Sequence, residues 1–237
     1  MSAPHLELTG DPGTVWHVGF RPNPWAWADR AYATDDGRFK GRWDDEEGKF
    51  RTIYTGDSLY ACLVEVLAPL RPKRSVDDAV MAIEDDDGHG TYYPDHAAGT
   101  INYSWLDERA AGRAEQDGRY CYVTHSSSIA VLRRIFDPAT FGIDAADFDA
   151  SLLKDSAPRA LTRSIARWLF DLADGDTVDG VEFRSRHGDD LRMWAIFERD
   201  TDGETSSHLS DRGSVSLSPE TIDLARALEL HGIRWLD

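Results

Sequence analysis

The sequence predicts an α+β fold, a mixed sheet with helices packed against it, and three observations lead there. Two segments carry apolar residues at helical spacing, several short runs read as strands, and no internal repeat orders these elements into an array. Val15 to Phe20 and Thr52 to Tyr54 read as strands, separated by a loop rich in Gly, Asp and Arg from Gly37 to Arg51. Leu59, Cys62, Leu63, Val66 and Leu67 then fall at i, i+3, i+4, i+7 and i+8, an amphipathic helix that Asp57 or Ser58 can cap and that Pro69 or Pro72 must end. From Arg71 to Gly118 the chain is polar and reads as an insertion, with a short helical candidate around Val76 to Ile83. Arg119 to Thr124 reads as a strand and Ile129 to Ile135 as a helix that stops at Asp137-Pro138. Leu161, Ile165, Trp168, Leu169 and Leu172 mark a second strong helix, introduced by Ser156-Ala157-Pro158 and ending near Gly175. Gly180 to Ser185 and Met193 to Glu198 read as paired strands across a polar turn, Arg186 to Arg192. A polar loop follows over Thr201 to Gly213. The last helix is expected over Pro219 to Leu230, with Ser218 as its cap and Gly232 past its end.

Domain organisation follows from this order. Residues 1–237 are read as one domain with its core in about 15–71 and 119–198, a polar insertion over 72–118, and a C-terminal helix within 214–237. Lys and Arg number 26 against 43 Asp and Glu, a formal net charge of -17 that repels a nucleic-acid backbone. An anionic ligand must therefore find local arginines in a pocket. Cys62 and Cys121 sit among apolar neighbours, which suits core positions in a reducing compartment. No signal-like or membrane-spanning run is present, so a cytoplasmic protein is expected. The Walker loop, the Rossmann glycines and paired metal cysteines are missing, and His89 and His96 lack ligand spacing, so no metal is expected.

The most informative blocks are Gly41-Arg42-Trp43-Asp44, then Phe50-Arg51-Thr52-Ile53-Tyr54, then Ser58 through Glu65-Val66-Leu67. A second half lies in Asp179-Gly180-Val181-Glu182-Phe183-Arg184-Ser185-Arg186 and Trp194-Ala195-Ile196-Phe197. In this order the blocks resemble the RES family, named for an arginine, a glutamate and a serine. The likeness covers roughly Trp16 to Arg71 and Ala160 to Glu198. It implies a bacterial ADP-ribosyltransferase-like fold, a toxin paired with an Xre-type antitoxin, and NAD consumed as substrate by hydrolysis or phosphorolysis. It also implies roles position by position. Arg21 and Arg42 would hold NAD, Tyr54 would lie against the nicotinamide ring, Glu65 would be the catalytic carboxylate, and Ser185 would match the late serine. Pro22 stands where some members carry tyrosine after the first arginine.

These residue types suit that chemistry. Breaking the nicotinamide–ribose bond develops positive charge on the ribose, which a nearby carboxylate stabilises, as in glycoside hydrolysis. The planar guanidinium fork matches phosphate oxygens better than an ammonium does. An aromatic ring can stack on the pyridinium. Each residue also has a plainer use: Glu65 as a solvated helical charge, Arg42 as a partner of Asp44 or Asp45, Tyr54 as a rim residue, and Ser185 as a brace for the following turn. Trp43, Trp168 and Trp194 are assigned to packing. ADP-ribosyl transfer to a protein or small molecule, and a non-catalytic binding module, stay open as alternatives, as does a homodimer.

Overall fold

Alternation of side chains along each strand gives the sheet two faces, and the sequence fills them unequally. The computed structural model describes residues 5–33, 39–72, 98–155, 159–173 and 177–236. Eight strands form one sheet in the order β1-β6-β7-β8-β3-β2-β5-β9, comprising β1 (Leu8–Gly10), β2 (Gly13–Phe20), β3 (Thr52–Gly56), β5 (Arg109–Gln116), β6 (Arg119–Tyr122), β7 (Gly180–Ser185), β8 (Gly188–Phe197) and β9 (Leu209–Ser216). Only β6 and β7 pair in parallel; the other neighbours are antiparallel. A two-stranded parallel pair, β4 (Thr100–Ile101) with β10 (Arg234–Trp235), stands apart.

Six α-helices are found among the described residues: α1 (Leu59–Leu67), α2 (Ser104–Glu108), α3 (Ser126–Ile135), α4 (Ala150–Lys154), α5 (Arg159–Phe170) and α6 (Ile222–His231). The fold is therefore α+β. Val181, Phe183, Met193, Ala195 and Phe197 face the larger core with the apolar sides of α1, α5 and α6. Val15, Ile53, Ala114, Tyr120, Trp194 and Ile196 face the opposite way, under Trp25 and Trp27 from the chain between β2 and β3. Ser58 Oγ accepts the Ala61 N–H at 3.1 Å and so fixes the start of α1. This helix is buried on more sides than its stripe implies, because α6 packs on it: Ala61 and Val64 are as buried as Leu63.

Four expectations need correction. Much of 98–118 is not an insertion outside the sheet, since β5 lies between β2 and β9. Its sequence, RAAGRAEQ, hides this because alanine and glycine are weak strand signals. Gly112 is glycine because Trp25 lies on β5: a Cβ there would strike the indole, whose Nε1 donates to Gly213 O at 3.1 Å. The loop expected over Thr201 to Gly213 gives way at Leu209 to β9, an edge strand whose residues beyond Leu209 are exposed, so no alternation marks it. The turn after β7 is far shorter than Arg186 to Arg192, because Ser185 pairs with Gly188 and leaves only Arg186 and His187 between the strands. Helix α6 starts after Thr221 rather than Ser218, since Ser218 and Thr221 close a turn first, although Gly232 ends it in the left-handed conformation as expected. The helical candidate at Val76 to Ile83, His89, His96 and the Ser156-Ala157-Pro158 start lie outside the described residues.

Candidate active site

The loop bearing Arg42 is pinned from three sides. Asp44 is buried, and its carboxylate accepts from Gly41 N–H and from the Thr52 hydroxyl. The Tyr54 hydroxyl accepts the Trp43 N–H at 2.9 Å and donates to Asp44 Oδ1 at 3.3 Å. Gly41 has to be glycine, because a Cβ there would collide with both the Tyr54 oxygen and the Asp44 carboxylate. From α5, Arg159 donates to Lys40 O, and Arg163 donates to Phe39 O at 2.8 Å and Gly41 O at 3.3 Å. Trp43, fully buried, packs 5.9 Å from the Phe183 ring. Arg42 itself pairs with neither Asp44 nor Asp45; it donates to Leu153 O at 3.3 Å.

Arg42 is half-buried, and that desolvation lowers its guanidinium pKa to about 10, with Arg186 and Arg159 adding repulsion and Glu65 opposing them. It remains charged at neutral pH. Glu65, partly buried on α1, is the carboxylate whose charge acts on Arg42, and it acts on Arg71 and His231 as well. No ion pair within 4.0 Å joins it to these groups, so guanidinium and carboxylate are coupled while remaining apart. A guanidinium and a carboxylate coupled across a gap suit a cationic carbohydrate centre tethered to an anionic group.

The β7–β8 turn completes the cluster. Ser185 is buried, and its Oγ accepts the His187 N–H at 2.9 Å, so it braces the turn. That turn presents Arg186 and His187. The His187 ring lies 5.6 Å from the His231 ring in an edge-on contact. His231 in turn is bound at Nε2 to Val64 O, 2.8 Å away and one residue before Glu65. Burial first, then Arg71, Arg186, His231 and Arg42, lower the His187 pKa to about 3. Burial likewise lowers that of His231, with Arg71 adding to it. Both rings are therefore neutral at physiological pH.

Arg42, Glu65, Tyr54 and the turn braced by Ser185 are thus brought together, whereas Arg21 is not. Its Nε donates to Arg109 O and its Nη2 to Ser216 Oγ, each at 3.0 Å, so it brackets β2, β5 and β9. The strand register sets Trp16 opposite Gly56 and Gly56 opposite Met193, which puts Arg21 toward the Phe197 end of the sheet, away from Arg186. Residues not singled out from the sequence are Arg71, Arg159, His187 and His231, along with Asp44 as the pin of the loop. A signal existed for some: Arg71 follows Glu65 just past α1, and Arg186-His187 directly follow the serine block. His231 had none, because its place depends on how α6 packs. Among the described residues, no group of three or more His, Cys, Asp or Glu could hold a metal ion, and no helix is long and apolar enough to cross a membrane.

The crystal structure of the M. tuberculosis MbcT–MbcA toxin–antitoxin complex is similar to this chain at 17% identity and a TM-score of 0.40, over 94% of this chain and 92% of that one. No family model matches the chain, and no curated protein matches it. Overlap at this level leaves the functional reading to the residues themselves.

Proposed function

We propose that this protein consumes NAD by breaking its nicotinamide–ribose bond. The observation that carries the reading is that two arginines, Arg42 and Arg71, are both coupled to a single carboxylate, Glu65. In this reading the C–N bond to nicotinamide lengthens and its electron pair leaves with the ring, which departs neutral and needs no strong acid. The ribose carbon becomes electron-poor and Glu65 stabilises it. Water supplies the new C–O bond and loses its proton to solvent, giving ADP-ribose and nicotinamide; inorganic phosphate in place of water would give ADP-ribose 1-phosphate. Arg42 holds the diphosphate. Tyr54 is foremost a positioning residue, because its hydroxyl is engaged by the Arg42 loop and only its ring is left to border the substrate. Ser185 likewise acts through the turn it braces.

A toxin role under an Xre-type antitoxin belongs to the same proposal and rests on the sequence resemblance. So does ADP-ribosyl transfer to a macromolecule as a second outcome. The test is purified protein with NAD, with and without phosphate, analysed for ADP-ribose, its 1-phosphate or a modified macromolecule. Glu65→Gln and Arg42→Gln are expected to lower turnover at least a hundred-fold, about 3 kcal/mol of transition-state stabilisation. Unchanged NAD turnover in folded Glu65→Gln protein removes the reading.

A further inference from the structure

Among the described residues the cluster has more donors than acceptors to meet them. Among the described residues Arg71 spends only Nε, on Ala68 O at 2.9 Å, and Arg186 has a long contact of 4.0 Å to Asp155. Arg42 spends Nη1 on a carbonyl. Among the described residues the His187 imidazole makes no hydrogen bond through either ring nitrogen, although its backbone is locked by Ser185 and its ring is held against His231. The groups around that ring are Arg71 from the end of α1, Arg186 from its own turn, Arg42 from the loop before β3 and His231 from α6. The carboxylate of Glu65 on α1 acts on Arg42, Arg71 and His231, whereas the charges that act most on His187 are all cationic or imidazole. Three guanidinium groups with unspent N–H bonds lie about a histidine that burial first, and then their charge, keeps neutral. Such an arrangement suits an anion, whose charge would offset the guanidinium part of what holds the proton off.

We propose that Arg71, Arg186 and the imidazole of His187 form the diphosphate-holding side of the site, and that His187 takes up a proton as an organic diphosphate binds. The guanidinium forks and the imidazolium N–H then donate to phosphate oxygens, while Glu65 stays at the ribose end. Binding is consequently stronger in mildly acidic solution. This rests on the reading of the site as one for a dinucleotide.

ADP-ribose is the probe, because its diphosphate is a diester whose charge does not change between pH 6 and 8. Calorimetry in two buffers of different ionisation heat is expected to show net proton uptake at pH 6 and several-fold tighter binding at pH 6 than at pH 8. His187→Gln keeps the backbone N–H bond to Ser185 and is expected to abolish the uptake and flatten the pH dependence. Arg71→Gln and Arg186→Gln are each expected to weaken binding roughly ten- to a hundred-fold, with Arg71→Lys in between. Thermal melting identifies any variant that fails to fold, and Arg71→Lys then carries the test for that position. Proton uptake that persists in His187→Gln, or wild-type affinity in both arginine variants, overturns the proposal, as does no binding of ADP-ribose to wild-type protein. His187-dependent binding without NAD cleavage would keep this subsite and remove the proposed reaction. NAD cleavage whose KM ignores Arg71→Gln would do the reverse.

Discussion

At Tyr54 one phenolic oxygen accepts from the Trp43 N–H and donates to Asp44, so the middle of β3 and the Arg42 loop share a polar joint. Burial first, then the Asp44 charge, pushes the phenol well above its ordinary pKa and keeps the donor proton in place. Tyr54→Phe preserves the ring and its edge contact with Phe183 but leaves the Trp43 N–H without a partner. A loss of about 1–3 kcal/mol in urea unfolding is expected, with a drop in turnover exceeding any change in KM. An unfolding midpoint and turnover equal to wild type would show that the joint is ornamental.

Among the elements, β9 depends on a charged joint at its start. His208 Nδ1 lies 2.8 Å from Asp117 Oδ1 in the β5–β6 turn, and Nε2 lies 3.2 Å from Asp179 Oδ1 just before β7. Gly118 closes that turn at φ +102°, where a Cβ would strike Asp179. The bond to Asp179, aided by Asp117, raises the His208 pKa to about 9. Protonated His208 therefore favours the folded state fully below about pH 6.5, and that contribution is lost as the pH climbs through 9. The melting temperature is expected to fall across this window and to fall less in Asp179→Asn; parallel curves for the two proteins would rule the joint out. His187 has the opposite sign: its contribution is intact above about pH 6.5 and is lost as the pH drops toward 3. Such joints were illegible in the sequence because they unite residues far apart in the chain. What could be read were elements with strong periodicity, α1 and α5, and strands with branched or aromatic residues, β2, β3 and β7. Alanine-rich β5 and two-sided polar β9 carried no such pattern. Of the site, Arg42, Glu65 and Tyr54 were visible because motif residues are local, whereas the cluster around His187 takes its form from α6 and the β7–β8 turn.

For the molecule as a whole, a formal charge of -17 stands against a local group of cations, Arg42, Arg71 and Arg186. An anionic nucleotide diffusing inward meets a hostile far field before a friendly near one. At 0.1 M ionic strength the screening length is about 10 Å, so added electrolyte weakens the outer repulsion sooner than the inner attraction. Encounter should quicken with salt while residence shortens. Under the proposed reaction, the specificity constant for NAD is therefore expected to rise and then decline along a sodium chloride series, where a simple basic cleft would give decline alone. A monotonic decline would mean that the acidic exterior stands too far from the entrance to be felt.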